Sequence, residues 1–261
     1  GQGGENTLDL SAFTTPRTSL LTGYGALTGF DGVDTSIPIG FKNITTLKAS
    51  ASHNADHLTG LNEVSVWDID GTNTYTSGGR TLHFANYERL TGGSAPDTFT
   101  LTGNQAHTIL AGADDDTLKF NDGAVLTGSF DGQSDHDTID MSAYSTARQA
   151  TLNGLGSTDG FSGTINGITS GFTNLDAIIA SATAADDRIT GRHADAFWDI
   201  DSLAGNQYTA IQDLSLTGIE TDYAAKKSVV QGRTALVTNG SPVVLDFSGF
   251  EILQGGNQND L

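Results

Sequence analysis

The sequence predicts an all-β chain: a right-handed parallel β-solenoid with rungs of about 20 residues, built from two tandem copies of a unit of about 131 residues. Three observations carry that expectation. The chain matches itself at long range, and a short turn-and-strand phrase recurs inside each copy. Its apolar residues come in short β-branched and aromatic runs cut by Gly, Asn and Asp.

The long-range match comes first. Residues 1–70 lie over 132–201 without a gap and share roughly 28 identities, far more than chance gives two windows of one chain. Thr7-Leu8-Asp9-Leu10-Ser11-Ala12-Phe13 falls on Thr138-Ile139-Asp140-Met141-Ser142-Ala143-Tyr144. Phe41 and Asn43 fall on Phe172 and Asn174, and Trp67-Asp68-Ile69-Asp70 falls on Trp198-Asp199-Ile200-Asp201. The copies then part, and the match returns when Phe84, Tyr87, Glu88 and Leu90 meet Phe247, Phe250, Glu251 and Leu253. Between these points the second copy carries about thirty extra residues within Ala210–Gly240, among them Lys226 and Lys227. The units are therefore 1–131 and 132–261, one continuous rod, with an insertion around 210–240 in the second. An insertion in one copy of an array maps to a loop on one face, where the copies would differ in what they contact.

The short period is the second observation. Asp97-Thr98-Phe99, Asp116-Thr117-Leu118 and Asp137-Thr138-Ile139 share one pattern at spacings of 19 and 21 residues. Asn6-Thr7-Leu8, Asp56-His57-Leu58 and Asp187-Arg188-Ile189 are looser versions. Each follows Gly- or Asp-rich turn sequence, as a repeated corner between strands requires. Runs such as Val64-Ser65-Val66-Trp67 and Val243-Val244-Leu245-Asp246-Phe247 read as short strands, and four prolines leave them free to pair. Stacked at about 4.8 Å, the chain would make about thirteen rungs and a rod on the order of 60 Å long. Leu175-Asp176-Ala177-Ile178-Ile179-Ala180-Ser181-Ala182 has helical propensity, but its counterpart Ile44–Ala51 is richer in Thr and Ser, so both are assigned to strand.

Composition bounds the function. A net charge of -19, from 12 Lys and Arg against 31 Asp and Glu, repels nucleic acid, anionic lipid and polyuronates as direct partners. Cysteine is absent, which removes disulfides, thiolate metal sites and cysteine nucleophiles together. No run of about 18 apolar residues exists to span a membrane. The chain opens on Gly1-Gln2-Gly3-Gly4 and closes on Asn259-Asp260-Leu261, so it reads as a segment of something longer.

Tyr87-Glu88-Arg89-Leu90-Thr91-Gly92-Gly93-Ser94-Ala95-Pro96-Asp97-Thr98-Phe99 resembles the "FENLTGGxGxDTF" phrase of giant bacterial surface repeat proteins. The Gly132–Tyr144 run is similar to their "GGxGxDTLDYSAY". These filamentous-haemagglutinin-like or adhesin-like proteins are related to the repeats-in-toxin pattern. The resemblance covers the chain outside Ala210–Gly240. It implies a secreted, modular β-solenoid, extracellular or on the bacterial cell surface, whose partners are neighbouring repeats and surface glycans or cells.

The repeats-in-toxin nonapeptide also implies Ca²⁺, with glycines turning the backbone and Asp supplying carboxylate. The candidate ligand positions are Asp97, Asp116, Asp137, Gly93, Asp114 and Asp135. Gly92, Gly93, Asp97 and Phe99 match the pattern, while Ala95 stands where it wants Gly. At the equivalent place Asp135 tolerates the left-handed conformation better than Ala does. The pattern appears only about once per rung, where the strict version supplies turns on both sides. Stacked corner carboxylates about 5 Å apart would repel by about 3 kcal/mol per pair if bare. A cation, Thr hydroxyls, backbone N–H groups or splaying into water must offset that.

Other residues admit two readings. Trp67 and Trp198 are carbohydrate platforms or core residues, and the Trp-Asp-Ile-Asp alternation favours a strand with one apolar face. Asp68/Asp70 and Asp199/Asp201 resemble glycosidase carboxylates in type alone. His53 and His57 suit a metal only on a helix, and a turn with a surface pair is expected instead. No nucleophile elbow or phosphate-binding loop is present. The leading function is a structural or adhesive segment and not an enzyme. The alternative is a parallel β-helix carbohydrate-active enzyme or polysaccharide-binding module.

Overall fold

The computed structural model describes residues 1–52, 54–194, 196–200, 206–210 and 243–256. Among them every regular element is a β-strand. Two sheets of twelve strands each hold nearly all of these, and Asn104–Gln105 with Val125–Leu126 makes a small ribbon.

Parallel pairing dominates the middle of both sheets. In the first, Ser65–Ile69, Asp97–Leu101, Thr117–Phe120, Thr138–Asp140, Ala177–Ile179 and Val243–Ser248 lie side by side. Thr98, Thr117 and Thr138 stand opposite one another, so the Asp-Thr-apolar triads stack as their spacing predicts. One residue on, Trp67, Phe99, Leu118, Ile139, Ile178 and Phe247 form a buried column. The second sheet answers with His57–Thr59, Arg89–Thr91, Thr108–Gly112 and Phe130–Gln133, whose inward residues are Leu58, Leu90, Ile109 and Phe130. Side chains alternate across a strand, so each strand sends one set into the core and one to the outer face.

The uniform 20-residue period does not hold throughout. Thr7 pairs with Thr46, and Thr138 with Ala177, each 39 residues on. In the first interval the chain lays Thr18–Tyr24, Phe30–Asp34 and Ile37–Ile44 into the second sheet as an antiparallel meander. In the second interval Gln149–Leu155, Phe161–Ile165 and Phe172–Leu175 do the same. The first sheet contains its own meanders, Ser65–Ile69 through Thr74–Ser77 to Arg80–Ala85, and Ala196–Asp199 through Asn206–Ala210 to Val243–Ser248. Each meander fills three strand positions without another pass between the sheets. The stack is therefore twelve strands deep on both sheets, about 50 Å at the usual strand spacing.

Local chemistry explains the meanders. Gly78 and Gly79 at φ 54° and 72° close the two-residue turn that pairs Ser77 with Arg80, a conformation that non-glycine residues resist. Pro38 cannot donate to a ladder, and it sits in Ile37–Ile44 at the edge of its sheet. The Leu175–Ala182 passage holds no helix: Leu175 ends the strand Phe172–Leu175, Ala177–Ile179 is strand, and Ala180–Ala182 follow it outside any element. Ala210 pairs with Val243, so the two strands that flank the insertion are neighbours, and residues 211–242 themselves lie outside the described residues.

Aromatic packing matches between the two segments that the sequence aligns. Trp67 meets Tyr75 at 4.6 Å and Phe84 at 5.7 Å, edge to face. Trp198 meets Tyr208 at 4.7 Å and Phe247 at 5.7 Å in the same manner. Both tryptophans thus pack into the core, as the alternation of their strands favours.

Candidate functional site

The candidate positions meet at the turn that leads into the first sheet. Asp97, Asp116 and Asp137 are buried at 2%, 1% and 0% exposure, each immediately before a strand threonine. Their carboxylates do not splay into water. The Asp97 N–H donates to Asp116 Oδ1 at 2.7 Å, and the Asp116 N–H donates to Asp137 Oδ1 at 3.0 Å. The Asp137 N–H donates to Asp176 Oδ2 at 3.2 Å. Backbone bonds run the other way, with the Thr138 N–H donating to the Asp116 carbonyl at 2.9 Å. The repulsion foreseen for bare stacked carboxylates is thus met by backbone N–H groups, one per level.

Gly93 and its neighbours make this stack sterically possible. A Cβ on Gly93 would stand 1.9 Å from the Leu61 carbonyl oxygen, and one on Gly112 would stand 2.2 Å from that of Gly93. The Gly93 N–H also donates to Asp97 Oδ2 at 2.7 Å. Asp114 and Asp135 form a second, exposed ladder beside the first. The Asp114 N–H donates to Asp135 Oδ2 at 3.0 Å, and the Asp135 N–H to Asp159 Oδ2 at 3.1 Å. Asp114 and Asp135 have φ of 75° and 77°, the left-handed region that Asp tolerates, whereas Ala95 at the equivalent place does not adopt it.

Burial dominates the electrostatics. It raises the Asp97 carboxyl to about 6, against the Ser65 hydroxyl and Gly93 N–H bonds. Asp116 is pushed up to about 8, by burial first and then by Asp97, Asp114 and Asp115, with its bond from the Asp97 N–H opposing. Asp137 is pushed up to about 9 by burial, with Asp116, Asp176 and Asp159 adding repulsion. Asp176 rises to about 6, again through burial first. Asp116 Oδ2 and Asp137 Oδ2 have no hydrogen-bond partner.

Those two oxygens are what the inner ladder leaves for a proton or a cation. A calcium ion takes six to eight oxygens. Among the described residues no three His, Cys, Asp or Glu side chains converge on one point. Any Ca²⁺ there would draw its remaining ligands from backbone carbonyls and water.

A related corner leads into the second sheet. Asp56 Oδ1 accepts from the Arg17 N–H, and the Asp56 N–H donates to Glu88 Oε2 at 3.0 Å. Asp187 Oδ1 accepts from the Arg148 N–H, and the Asp187 N–H donates to Glu251 Oε2 at 2.8 Å. The looser motifs Asp56-His57-Leu58 and Asp187-Arg188-Ile189 therefore belong to the second sheet, apart from the Asp97 stack. Sequence reasoning missed Asp176, Asp159, Glu88 and Glu251. Asp176 was findable, because it precedes Ala177 as Asp137 precedes Thr138, and those two residues pair.

The other candidates stay apart. Asp68 and Asp70 are exposed, and Asp70 caps its own turn by accepting the Thr72 N–H and hydroxyl, both at 2.8 Å. His57 opens a strand instead of lying in a turn, with its ring against the Thr91 hydroxyl at 2.8 Å, because its register pairs it with Arg89. His53 and Asp201 lie outside the described residues. No described helix is long and apolar enough to cross a membrane. Comparison with family models, with curated proteins and with solved structures returned no match.

Proposed function

We propose that this chain is a structural segment of an extracellular bacterial repeat protein, a right-handed parallel β-solenoid of two tandem units that extends a fibre, stalk, sheath or adhesin. The observation that carries the reading is the inner ladder, Asp97 to Asp116 to Asp137 to Asp176, with one backbone N–H donated to each successive carboxylate. The bond recurs over four successive levels, which favours a stacked repeat over a single unique cleft. Its partners are neighbouring repeats end to end, and surface glycans or cells along its flanks. Electron microscopy of the native parent protein tests this directly. A long filament of about solenoid width is expected, and compact globular particles would count against it.

Ca²⁺ is the cation this reading admits at the corner, with Asp116 Oδ2 and Asp137 Oδ2 as its carboxylate oxygens and Asp97, Gly93, Asp114 and Asp135 around them. Calorimetric titration after EDTA treatment checks it: heat of binding and a higher melting temperature are expected, and neither would appear if protons alone occupy the corner. Against the alternative of a carbohydrate-active β-helix stands the packing of Trp67, which is fully buried and so no sugar platform, while Trp198 is half-buried against Tyr208 and Phe247. Release of reducing sugar from a polysaccharide panel is expected to be nil.

A further inference from the structure

We propose that the buried Ser19–Asp34–Tyr87 network is a register key that makes the two halves of this chain non-interchangeable during folding; the inference rests on the two-unit reading above. Three segments converge on it. Ser19 lies on Thr18–Tyr24, Asp34 ends Phe30–Asp34, and Tyr87 precedes Arg89–Thr91. The Ser19 hydroxyl donates to Asp34 Oδ2 at 2.9 Å, and lies 2.8 Å from the Tyr87 hydroxyl. Asp34 Oδ1 accepts the Ser36 N–H at 2.8 Å and its hydroxyl at 2.6 Å, with the Arg17 guanidinium 3.9 Å away. All three principal members are buried.

The aligned positions in the second unit are Ala150, Ile165 and Phe250, with the first two buried. Around this difference the corners are alike. Arg17 and Arg148 donate their N–H groups to Asp56 and Asp187, which donate theirs to Glu88 and Glu251. Both arginines hold a threonine two residues back, through Nε to the carbonyl at 3.0 Å and Nη2 to the hydroxyl at 2.6 Å. A segment of one unit that docks into the other therefore keeps its corner bonds, and the backbone does not reject it. The side chains do. Tyr87 against Ala150 and Ile165 leaves its hydroxyl without a partner, while Phe250 against Ser19 removes one from a buried polar group. Fixing register is the best-attested use of a buried polar group in an apolar core. Near-identical neighbours in one chain are where misassembly and swapping arise.

The test uses the full 261-residue chain in three forms. In the first variant, Ser19→Ala, Asp34→Ile and Tyr87→Phe make both units apolar. In the second, the same changes are combined with Ala150→Ser, Ile165→Asp and Phe250→Tyr, which moves the network to the other unit, where Arg148 stands as Arg17 does. The readout is the fraction that recovers native near-ultraviolet circular dichroism and monomeric elution after dilution from guanidinium. The homogenised variant is expected to lose at least about threefold in recovery relative to wild type, and the transferred variant to regain most of it. Wild-type recovery in the homogenised variant overturns the proposal, as does a transferred variant no better than the homogenised one. A homogenised variant that never folds still leaves the transferred one to decide. Amide hydrogen exchange of the wild type reads the two-unit arrangement separately: if the Leu58 and Ile189 amides do not both resist exchange, that arrangement fails and the key with it.

Discussion

The two kinds of corner use the same bond among different neighbours. At the turns into the first sheet, Asp97, Asp116, Asp137 and Asp176 accept or pass on backbone N–H groups among further acids, Asp114, Asp115, Asp159 and Asp246, with His136 beside Asp176. At the turns into the second sheet, Asp56 and Asp187 accept the backbone N–H groups of Arg17 and Arg148; burial and then Glu251 raise the Asp187 carboxyl, against the Arg148 N–H bond and charge. A backbone amide is thus enough to hold a buried carboxyl in place, but not enough to keep it ionised. The first corner lies among acids alone but for His136, and the second has an arginine that opposes part of the rise.

The largest expected effect that sharpens this contrast is on pH. Asp116 and Asp137 titrate near 4 when unfolded and at about 8 and about 9 when folded, so the folded chain binds more protons between those values. Their stabilisation is complete below the unfolded value and is lost as pH rises through the folded ones. Without divalent cations the melting temperature is expected to fall on the order of 10 °C between pH 5 and pH 9. A flat profile by circular dichroism would break the comparison. Next, Asp116→Ala leaves the buried Asp97 N–H without an acceptor and is expected to cost about 1–3 kcal/mol in urea unfolding.

Asparagine substitutions separate the corners by size. Asp116→Asn keeps an acceptor and removes the charge, so at pH 9 it is expected to stabilise by about 1 kcal/mol. Asp187→Asn removes a charge that burial and Glu251 disfavour but Arg148 favours, so at pH 9 it is expected to stabilise less, by about 0.5 kcal/mol. Equal gains in denaturant titrations would show that the Arg148 charge does not matter. The smallest effect is expected at Ile39, 96% exposed, where Ile39→Ser installs the residue found at the aligned Ser170. Its stability should stay within about 0.5 kcal/mol of wild type by the same titration.

Much of this was legible in the sequence. The 19- and 21-residue spacing of Asp97, Asp116 and Asp137 set the parallel register, and the Trp-Asp-Ile-Asp alternation placed both tryptophans inward. The meanders were not legible, because a tight antiparallel turn at Gly78-Gly79 and a corner at Gly92-Gly93 use the same residues. The partner of each corner carboxylate was hidden too. A hydrogen bond to a main-chain N–H leaves no residue type to read, so Glu88 and Glu251 carried no signature as partners, and Asp176 could be found only by its place before Ala177.

The pairing of Ala210 with Val243 has a consequence for how such a chain changes over time. Where the first meander closes through Gly78 and Gly79, the second has 32 residues of sequence between its paired Ala210 and Val243. The cost of closing a loop whose ends are already held together grows only slowly with its length. The same two strand ends thus admit connections of 2 or 32 residues with the pairing on either side kept. A turn of this kind is where such a chain can gain new surface character while the sheet beneath it keeps its register.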